Sequence, residues 1–174
     1  MSATAADVSV RPARTTDAPA VAAATIDAWR ASYASLLPAH VLAGLDLAQA
    51  TAQWRRSVED PGENLLLVAC AGPKIAGYAS VGPSDGPGGE LGELVVRPED
   101  RRLGHASRLL SAAVEHLHSR GFTSMVTWVN EGDQARTEFF SSAGFAPDGV
   151  ARVLDLDGAG TTTVRQLRWS AALA

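Results

Sequence analysis

The chain has 174 residues, of which 46% are apolar and 20% charged, and its formal net charge at pH 7 is −4. This length suits one domain, so residues 1–174 are predicted to form a single domain with its own core. The single cysteine, Cys70, excludes an intramolecular disulfide scaffold and the multi-cysteine class of zinc site, and no metal is expected. The mild negative charge gives no reason to expect nucleic acid or an anionic membrane as a partner.

Targeting signals are not evident in the sequence. No stretch approaches the ~18 consecutive apolar residues that span a bilayer, so no membrane association is expected. Residues 1–7 have no cationic start and no apolar run, which argues against a secretory signal. We therefore expect a cytoplasmic protein.

The first half of the chain is predicted to form a strand, two helices and a hairpin. The predicted elements are a strand at 8–12, a helix from about 15 to 36, a second helix from 38 to about 58, and strands at 65–70 and 75–81. The apolar run at 65–70 is typical of a strand buried on both faces. Residues 82–89, rich in glycine and proline, are predicted to form a loop without regular structure.

The second half contains the clearest helix. Apolar residues recur at three-and-four spacing from Leu103 to Leu117, and Gly121 is a typical helix end. The remaining predicted elements are strands at 90–96 and 124–129, a helix at 133–142, and a final hairpin of 150–156 with 161–169. The order predicts a mixed α/β sheet with a parallel crossover between strands 90–96 and 124–129.

The segment from Arg97 to Ser107 joins a buried strand to this helix. A turn there leaves backbone N–H groups unpaired at the helix start, where the helix dipole favours a phosphate or pyrophosphate. The small residues Gly104 and Ala106 let an anion approach the backbone. The alternative is an ordinary capped helix with a solvated charged turn. Within this loop, His105 either contacts the phosphate or, as we expect, faces solvent.

The same loop resembles a known family. The run Val96-x-Pro98-x-x-Arg101-x-x-Gly104-x-Ala106 is similar to the acyl-CoA loop of the GNAT superfamily of N-acetyltransferases, whose pattern is Gln/Arg-x-x-Gly-x-Gly/Ala. The segment from Asp133 to Phe145 resembles that family's later helix, usually Asn-x-x-Ala-x-x-Phe-Tyr-x-x-x-Gly-Phe. With the order of elements, the resemblance covers residues 8 to 169.

The resemblance implies a GNAT-like fold and a bound co-substrate. The fold is a central mixed, mostly antiparallel sheet of about seven strands with a splayed parallel pair, flanked by about four helices. The co-substrate is acetyl-CoA, with its pantetheine between the splayed strands and its pyrophosphate on the loop. The residues expected to bind it are Leu94, Val95, Val96, Arg101, Arg102, Leu103, Gly104, His105, Ala106, Ser107, Asn130, Asp133 and Phe140.

The resemblance also implies the reaction, in which a primary amine of a small molecule or peptide attacks the thioester directly in a ternary complex. Glu90 matches the family's glutamate and is the candidate general base; the alternative is a solvated residue at the strand start. Glu93 is the rival, although its odd separation from Glu90 predicts opposite faces of a regular strand. Trp29 and Tyr33 are candidate acceptor-binding residues, with the alternative that both belong to the core.

Three residues depart from the family pattern. Phe140 stands where the family usually has a tyrosine that protonates the leaving thiolate, so the thiolate leaves unassisted or Tyr33, Ser141 or water serves instead. Asp133 replaces an asparagine, and Arg136 replaces a common alanine. Phe140 motivates an alternative function, a catalytically impaired CoA-binding sensor or partner domain of the same fold. Homodimerisation through the last strands is a further expectation.

Overall fold

Seven strands form one sheet over the residues that the structure describes, which are 7–174 of the computed structural model. The strands are β1 (Val8–Pro12), β2 (Leu65–Ala71), β3 (Lys74–Pro83), β4 (Gly89–Val96), β5 (Ser124–Asn130), β6 (Ala146–Asp155) and β7 (Thr163–Ala172). Their order is β1-β2-β3-β4-β5-β7-β6, with β4 and β5 parallel and the other neighbours antiparallel. The predicted mixed, mostly antiparallel sheet with a central parallel pair is confirmed.

Five α-helices accompany this sheet in the described part of the chain: α1 (Ala18–Tyr33), α2 (Ala39–Ala43), α3 (Leu47–Glu59), α4 (His105–Ser119) and α5 (Gln134–Ser142). The single helix predicted from 38 to 58 is wrong. Gly44 ends α2, and the side chain of Asp46 then caps α3 by accepting a hydrogen bond of 2.9 Å from the backbone N–H of Gln49. An N-cap carboxylate satisfies donors that a continuous helix would pair internally, which favours the break.

Helices cover both faces of the sheet. On one face, α4 buries Leu109 and Leu117 in a cluster with Leu91 of β4 and Met125 of β5. On the other face, α1 and α3 pack over a second cluster that includes Tyr78 of β3. Fully burying an apolar side chain of this size stabilises a fold by about 1.5–3 kcal/mol. The α4 layer therefore supports β4 and β5 from one face, while α1 and α3 pack mainly over β2 and β3 on the other.

The strand ends differ from the predicted ones. β3 runs to Pro83 and β4 begins at Gly89, so regular structure extends into both ends of the predicted loop 82–89. Gly89 fits because an added Cβ would lie 2.4 Å from a methyl group of Leu117. The last hairpin is also longer than predicted, since β6 begins at Ala146 and β7 continues to Ala172. These extensions depend on cross-strand pairing, which the local sequence does not encode.

Candidate active site

The parallel pair opens after three residue pairs. Gly89, Glu90 and Leu91 of β4 pair with residues 125–127 of β5. At the end of the pairing the Thr127 hydroxyl donates to the Leu91 carbonyl at 2.9 Å. Beyond that point β4 keeps its partner β3 on one side only, so the β5-facing backbone of residues 92–96 lies open. Backbone N–H and C=O groups need partners, and this opening presents them to a ligand.

A β-bulge at Gly92 changes which way the β4 side chains point. Ser80 of β3 lies opposite Glu93 and Val81 lies opposite Leu91, so Gly92 is the extra residue. A bulge of one residue reverses the alternation of side chains along a strand. Glu90 and Glu93 therefore share a face and line the same cleft, and the prediction that they lie on opposite faces is wrong.

This cleft is acidic. Its volume is about 510 Å³, and α3, β3 and β4 supply most of its walls. The ionisable residues that line it are Asp60, Asp85, Glu90, Glu93 and Arg152. Carboxylates outnumber the cation, and low-dielectric walls focus such a charge on a ligand, so the cleft favours a cationic one.

Glu90 is half-buried at the start of β4 and lines the cleft. Burial raises the pKa of Glu90, and the charge of Asp85 adds to this, while Arg152 and Trp128 oppose it. Arg152 in turn stacks over the Trp128 ring with its guanidinium carbon 4.1 Å from the ring centroid. A carboxylate with a raised pKa accepts a proton more readily than an ordinary one, which is the property of a general base near neutral pH.

Glu93 is fixed by a buried hydrogen-bond network that the sequence did not reveal. The Tyr78 hydroxyl donates to Glu93 Oε2 at 2.7 Å and lies 2.8 Å from the hydroxyl of Thr25. The indole N–H of Trp54 donates to the same Thr25 hydroxyl at 3.0 Å. Burial raises the pKa of Tyr78 far above its usual range, so the phenol stays protonated and remains a donor. The one signal in the sequence was a tyrosine inside an apolar strand.

The loop before α4 presents backbone donors as predicted for a pyrophosphate site. Gly104 adopts a left-handed conformation with φ 81°, and Arg102 adopts φ 60°. The first α4 amide with a helical partner is that of Arg108, which donates to the Gly104 carbonyl at 3.1 Å. No side chain in the described residues caps this end, so the N–H groups of residues 105–107 point out of the helix start together with its dipole.

The charges around this loop leave its arginines available. Lys74 lies 2.7 Å from Asp100 and 3.5 Å from Glu99, so it offsets part of the negative charge that precedes Arg101 and Arg102. Both arginines are exposed, as is Leu103. His105 is buried instead, so the expectation of a solvent-facing side chain is wrong.

At the other side of the opening, α5 begins beside β4. Asp133 caps α5 by accepting from the backbone N–H of Arg136 at 3.1 Å, and the Arg136 guanidinium donates to the Leu94 carbonyl at 2.6 Å. Asn130, at the end of β5, accepts a hydrogen bond of 2.8 Å from Gln166. Phe140 is fully buried in the core against Phe139 and Phe145, so its expected contact with the co-substrate stays a prediction.

The two candidate acceptor residues on α1 lie elsewhere. Trp29 and Tyr33 meet edge to face with ring centroids 4.9 Å apart, and Tyr33 is buried in a small cluster with Leu37 and Leu42. The cleft is lined instead by Trp54 of α3. Their role in acceptor binding stays a prediction. Within residues 7–174, no cluster of three or more His, Cys, Asp or Glu residues is placed to hold a metal ion, and no helix is long and apolar enough to cross a membrane.

Solved structures share this fold. PaiA N-acetyltransferase from Thermoplasma acidophilum, in complex with coenzyme A, superposes with a TM-score of 0.71 at 17% identity and covers 95% of this chain and 99% of that chain. A ribosomal-protein-alanine N-acetyltransferase from Brucella melitensis superposes with a TM-score of 0.71 at 24% identity, with coverage of 95% and 99%. The chain thus has the fold of these two N-acetyltransferases.

Sequence comparison gives the family. Residues 26–145 match the sequence model of the Acetyltransferase (GNAT) family. An uncharacterized N-acetyltransferase of Bacillus subtilis (strain 168), YuaI, is 30% identical over 149 residues, which are 83% of this chain and 82% of that protein. The chain belongs to the GNAT acetyltransferase family, as the loop motif predicted.

Proposed function

We propose that this protein is an acetyl-CoA-dependent N-acetyltransferase that acts on a primary amine of a small molecule or peptide. The observation that carries the proposal is the junction of two features at β4. The strand loses its β5 partner after Leu91, at the bulge of Gly92 that directs both Glu90 and Glu93 toward one acidic cleft. An acyl donor in the opening and an amine in the cleft would meet at the same strand, as direct transfer in a ternary complex requires.

The residues around the opening fit coenzyme A. The β4 backbone from Leu94 to Val96 has no β5 partner and offers hydrogen bonds to the pantetheine amides in the manner of an added strand, although the Leu94 carbonyl already accepts one from Arg136. The backbone of residues 101–107, with Gly104 at its centre, offers N–H groups to the pyrophosphate. Coenzyme A bound in the related PaiA structure supports this assignment. When bound, acetyl-CoA supplies the thioester carbon that the amine attacks.

The acidic cleft fits an amine acceptor. An amine with an ordinary pKa near 10 arrives as an ammonium ion, which the carboxylates attract and which must lose a proton before it attacks. Glu90 is the proposed general base, acting directly or through a water molecule. Glu93, held by Tyr78, is proposed to bind and orient the ammonium group, since its carboxylate is fixed in place before the acceptor arrives.

The test is release of the CoA thiol from acetyl-CoA across a broad panel of primary amines, including diamines, amino sugars and peptide N-termini. We expect turnover with at least one cationic amine and saturable binding of acetyl-CoA. A thermal shift with acetyl-CoA but none with ATP or NAD would separate this function from a general phosphate-binding domain. No binding of acetyl-CoA or CoA at any concentration tested would refute the proposal.

A second candidate is a CoA-binding sensor or partner domain without transfer activity. Phe140 favours it, because a phenylalanine has no proton for the leaving thiolate and is here sealed in the core. The same assay separates the two functions. Saturable binding of CoA without turnover on any amine of the panel would favour the sensor.

A further inference from the structure

Arg136 occupies an unusual place for a charged side chain. It lies on α5 one turn before Phe140, and residues four apart share a helix face. Its guanidinium donates to the Leu94 carbonyl at 2.6 Å, in the stretch where β4 has no β5 partner. A cation therefore stands in the opening between the splayed strands, on the same helix face as the residue that lacks a hydroxyl.

The guanidinium is held there from its own helix. Asp133 accepts from the Arg136 backbone N–H at 3.1 Å, and its other oxygen lies 3.8 Å from Arg136 Nε. The side chain is 37% exposed, so it reaches the opening without being sealed in the core. An arginine has five N–H donors in a fixed fork, and the bond to Leu94 uses one of them. The remaining donors leave capacity for an anionic ligand.

Within the described residues, two charged or polar side chains interact with Arg136. Asp133, the N-cap of α5, lies beside its guanidinium, and the charge of Arg136 also acts on the Tyr78 hydroxyl of β3. Burial is the main cause of the high pKa of Tyr78, and the charge of Arg136 acts against it, which places the guanidinium within electrostatic reach of that hydroxyl. Leu94, whose carbonyl Arg136 contacts, directly follows Glu93 on β4, so the guanidinium stands one residue along the strand from the acidic cleft.

We propose, on the basis of the function proposed above, that Arg136 is a catalytic residue that stabilises the leaving CoA thiolate in place of the missing tyrosine. The amine nitrogen forms a bond to the thioester carbon, the C–S bond breaks, and its electron pair goes to sulfur. The acceptor nitrogen loses two protons in all: the ammonium proton passes to solvent before the attack, and the second passes to Glu90 or its water as the amide forms. The guanidinium donates a charge-assisted hydrogen bond to the sulfur and keeps its own proton, because an arginine side chain stays protonated in proteins. Solvent later protonates the released thiolate.

The test measures the thiol pKa of bound CoA, which does not depend on turnover. Thiolate absorbance in the ultraviolet is followed against pH for the wild type and for Arg136→Gln, Arg136→Lys and Arg55→Gln. Arg55 is exposed on α3 and does not line the cleft, so its variant is the matched control. A neighbouring arginine lowers thiol pKa values, so Arg136→Gln should raise the bound thiol pKa by about 1 or more. Arg136→Lys should keep most of the lowering, and Arg55→Gln should change nothing.

A merely structural role gives a different result. If Arg136 only holds the Leu94 carbonyl, Arg136→Gln will weaken CoA and acetyl-CoA equally and leave the bound thiol pKa unchanged, which overturns the inference while the acetyltransferase function stands. If Arg136→Gln does not fold, as judged by circular dichroism, the Arg136→Lys variant decides: its bound thiol pKa should stay below that of free CoA. A wild-type thiol pKa equal to that of free CoA also overturns the inference, and failure of the wild type to bind CoA refutes both proposals.

Discussion

The coenzyme side and the acceptor side of this site are built from different chemical groups. At the start of α4 the groups offered to a ligand are backbone N–H donors, shaped by the left-handed Gly104 and Arg102. In the cleft they are carboxylates, fixed by the bulge at Gly92 and by the Tyr78 hydroxyl. A site made of backbone is sensitive to conformation and tolerant of side-chain changes. A site made of side chains is sensitive to side-chain changes and more tolerant of small changes in backbone conformation.

This difference predicts which measured property a substitution on each side should change. Changes on the coenzyme side should alter the affinity for CoA through backbone shape. Changes on the acceptor side should alter kcat or the KM for the amine and leave CoA affinity unchanged. A variant on the acceptor side that changed CoA affinity would show that the two sides are not independent.

Glu90→Gln should give the largest effect. Glutamine keeps nearly the same shape but accepts no proton, so kcat should fall by about 10²–10⁴-fold, the usual contribution of a general base. The affinity for CoA should stay unchanged, because the coenzyme side depends on backbone groups. Steady-state kinetics with a responsive amine and calorimetry with CoA measure the two quantities. A full rate in the variant would remove Glu90 from the role of base.

The pH dependence of kcat is a second test of Glu90 as the general base. Its folded pKa is raised, so wild-type kcat should fall as the pH drops through that raised pKa and protonates the base. The Glu90→Gln variant should lose this limb and rise only with the free-amine fraction, toward alkaline pH. The free energy of unfolding depends on pH with the opposite sign, because the raised pKa of Glu90 makes the folded protein less stable as the pH rises. The ionised form is the less favourable one in the fold, so above the raised pKa the variant should melt higher than the wild type, and the gap should close as the pH falls.

Gly104→Val should give the next largest effect, a loss of CoA affinity of about 10–100-fold. A β-branched residue resists the left-handed backbone, and an added Cβ would lie 2.9 Å from the guanidinium of Arg108. Gly121→Val is the matched control, because Gly121 has a similar φ of 85° at the other end of α4 with no atom within 4 Å of an added Cβ. Both variants should lose stability. Equal CoA affinities in the two, measured by calorimetry, would contradict a backbone anion site at Gly104.

The two sides also differ in how well the sequence predicts them. The α4 loop is encoded locally, since Pro98, Arg101 and Gly104 mark the turn within a few residues, and its conformation matches the expectation. The break between α2 and α3 is also encoded locally, by Gly44 and the Asp46 cap. The prediction of one continuous helix followed the apolar spacing and missed these two signals.

The acceptor side could not be predicted in this way. The bulge at Gly92 depends on how β4 pairs with Ser80 on β3, and a strand taken alone gives the wrong face for Glu93. The network behind Glu93 joins Tyr78 to Thr25 and Trp54, residues that are far apart along the chain. Only the folded sheet brings these groups together, so no local pattern marks them.

Glu93→Gln tests the acceptor side with a moderate effect. If Glu93 binds the ammonium group, loss of its charge should raise the KM for the amine by about tenfold, since a hydrogen bond to a charged group contributes about 1.5–3 kcal/mol and the amide retains part of it. The kcat should change less. Glu115→Gln, an exposed position on α4 across the sheet, is the control. A fall in kcat as deep as that of Glu90→Gln, with KM unchanged, would instead make Glu93 the base.

Arg102→Gly should give the smallest effect, and it tests whether the loop backbone or the Arg102 side chain holds the pyrophosphate. Arg102 is the one non-glycine residue with positive φ in the described chain, and a left-handed conformation costs an L-residue about 1–2 kcal/mol. Glycine relieves that cost and should raise the melting temperature by a few degrees, against the larger conformational freedom that glycine gives the unfolded chain. The backbone shape survives, so CoA affinity should fall only a few-fold, by the loss of one exposed charge, and the fall should shrink at high salt. A fall as large as that of Gly104→Val would mean that the Arg102 side chain, rather than the loop backbone, holds the pyrophosphate.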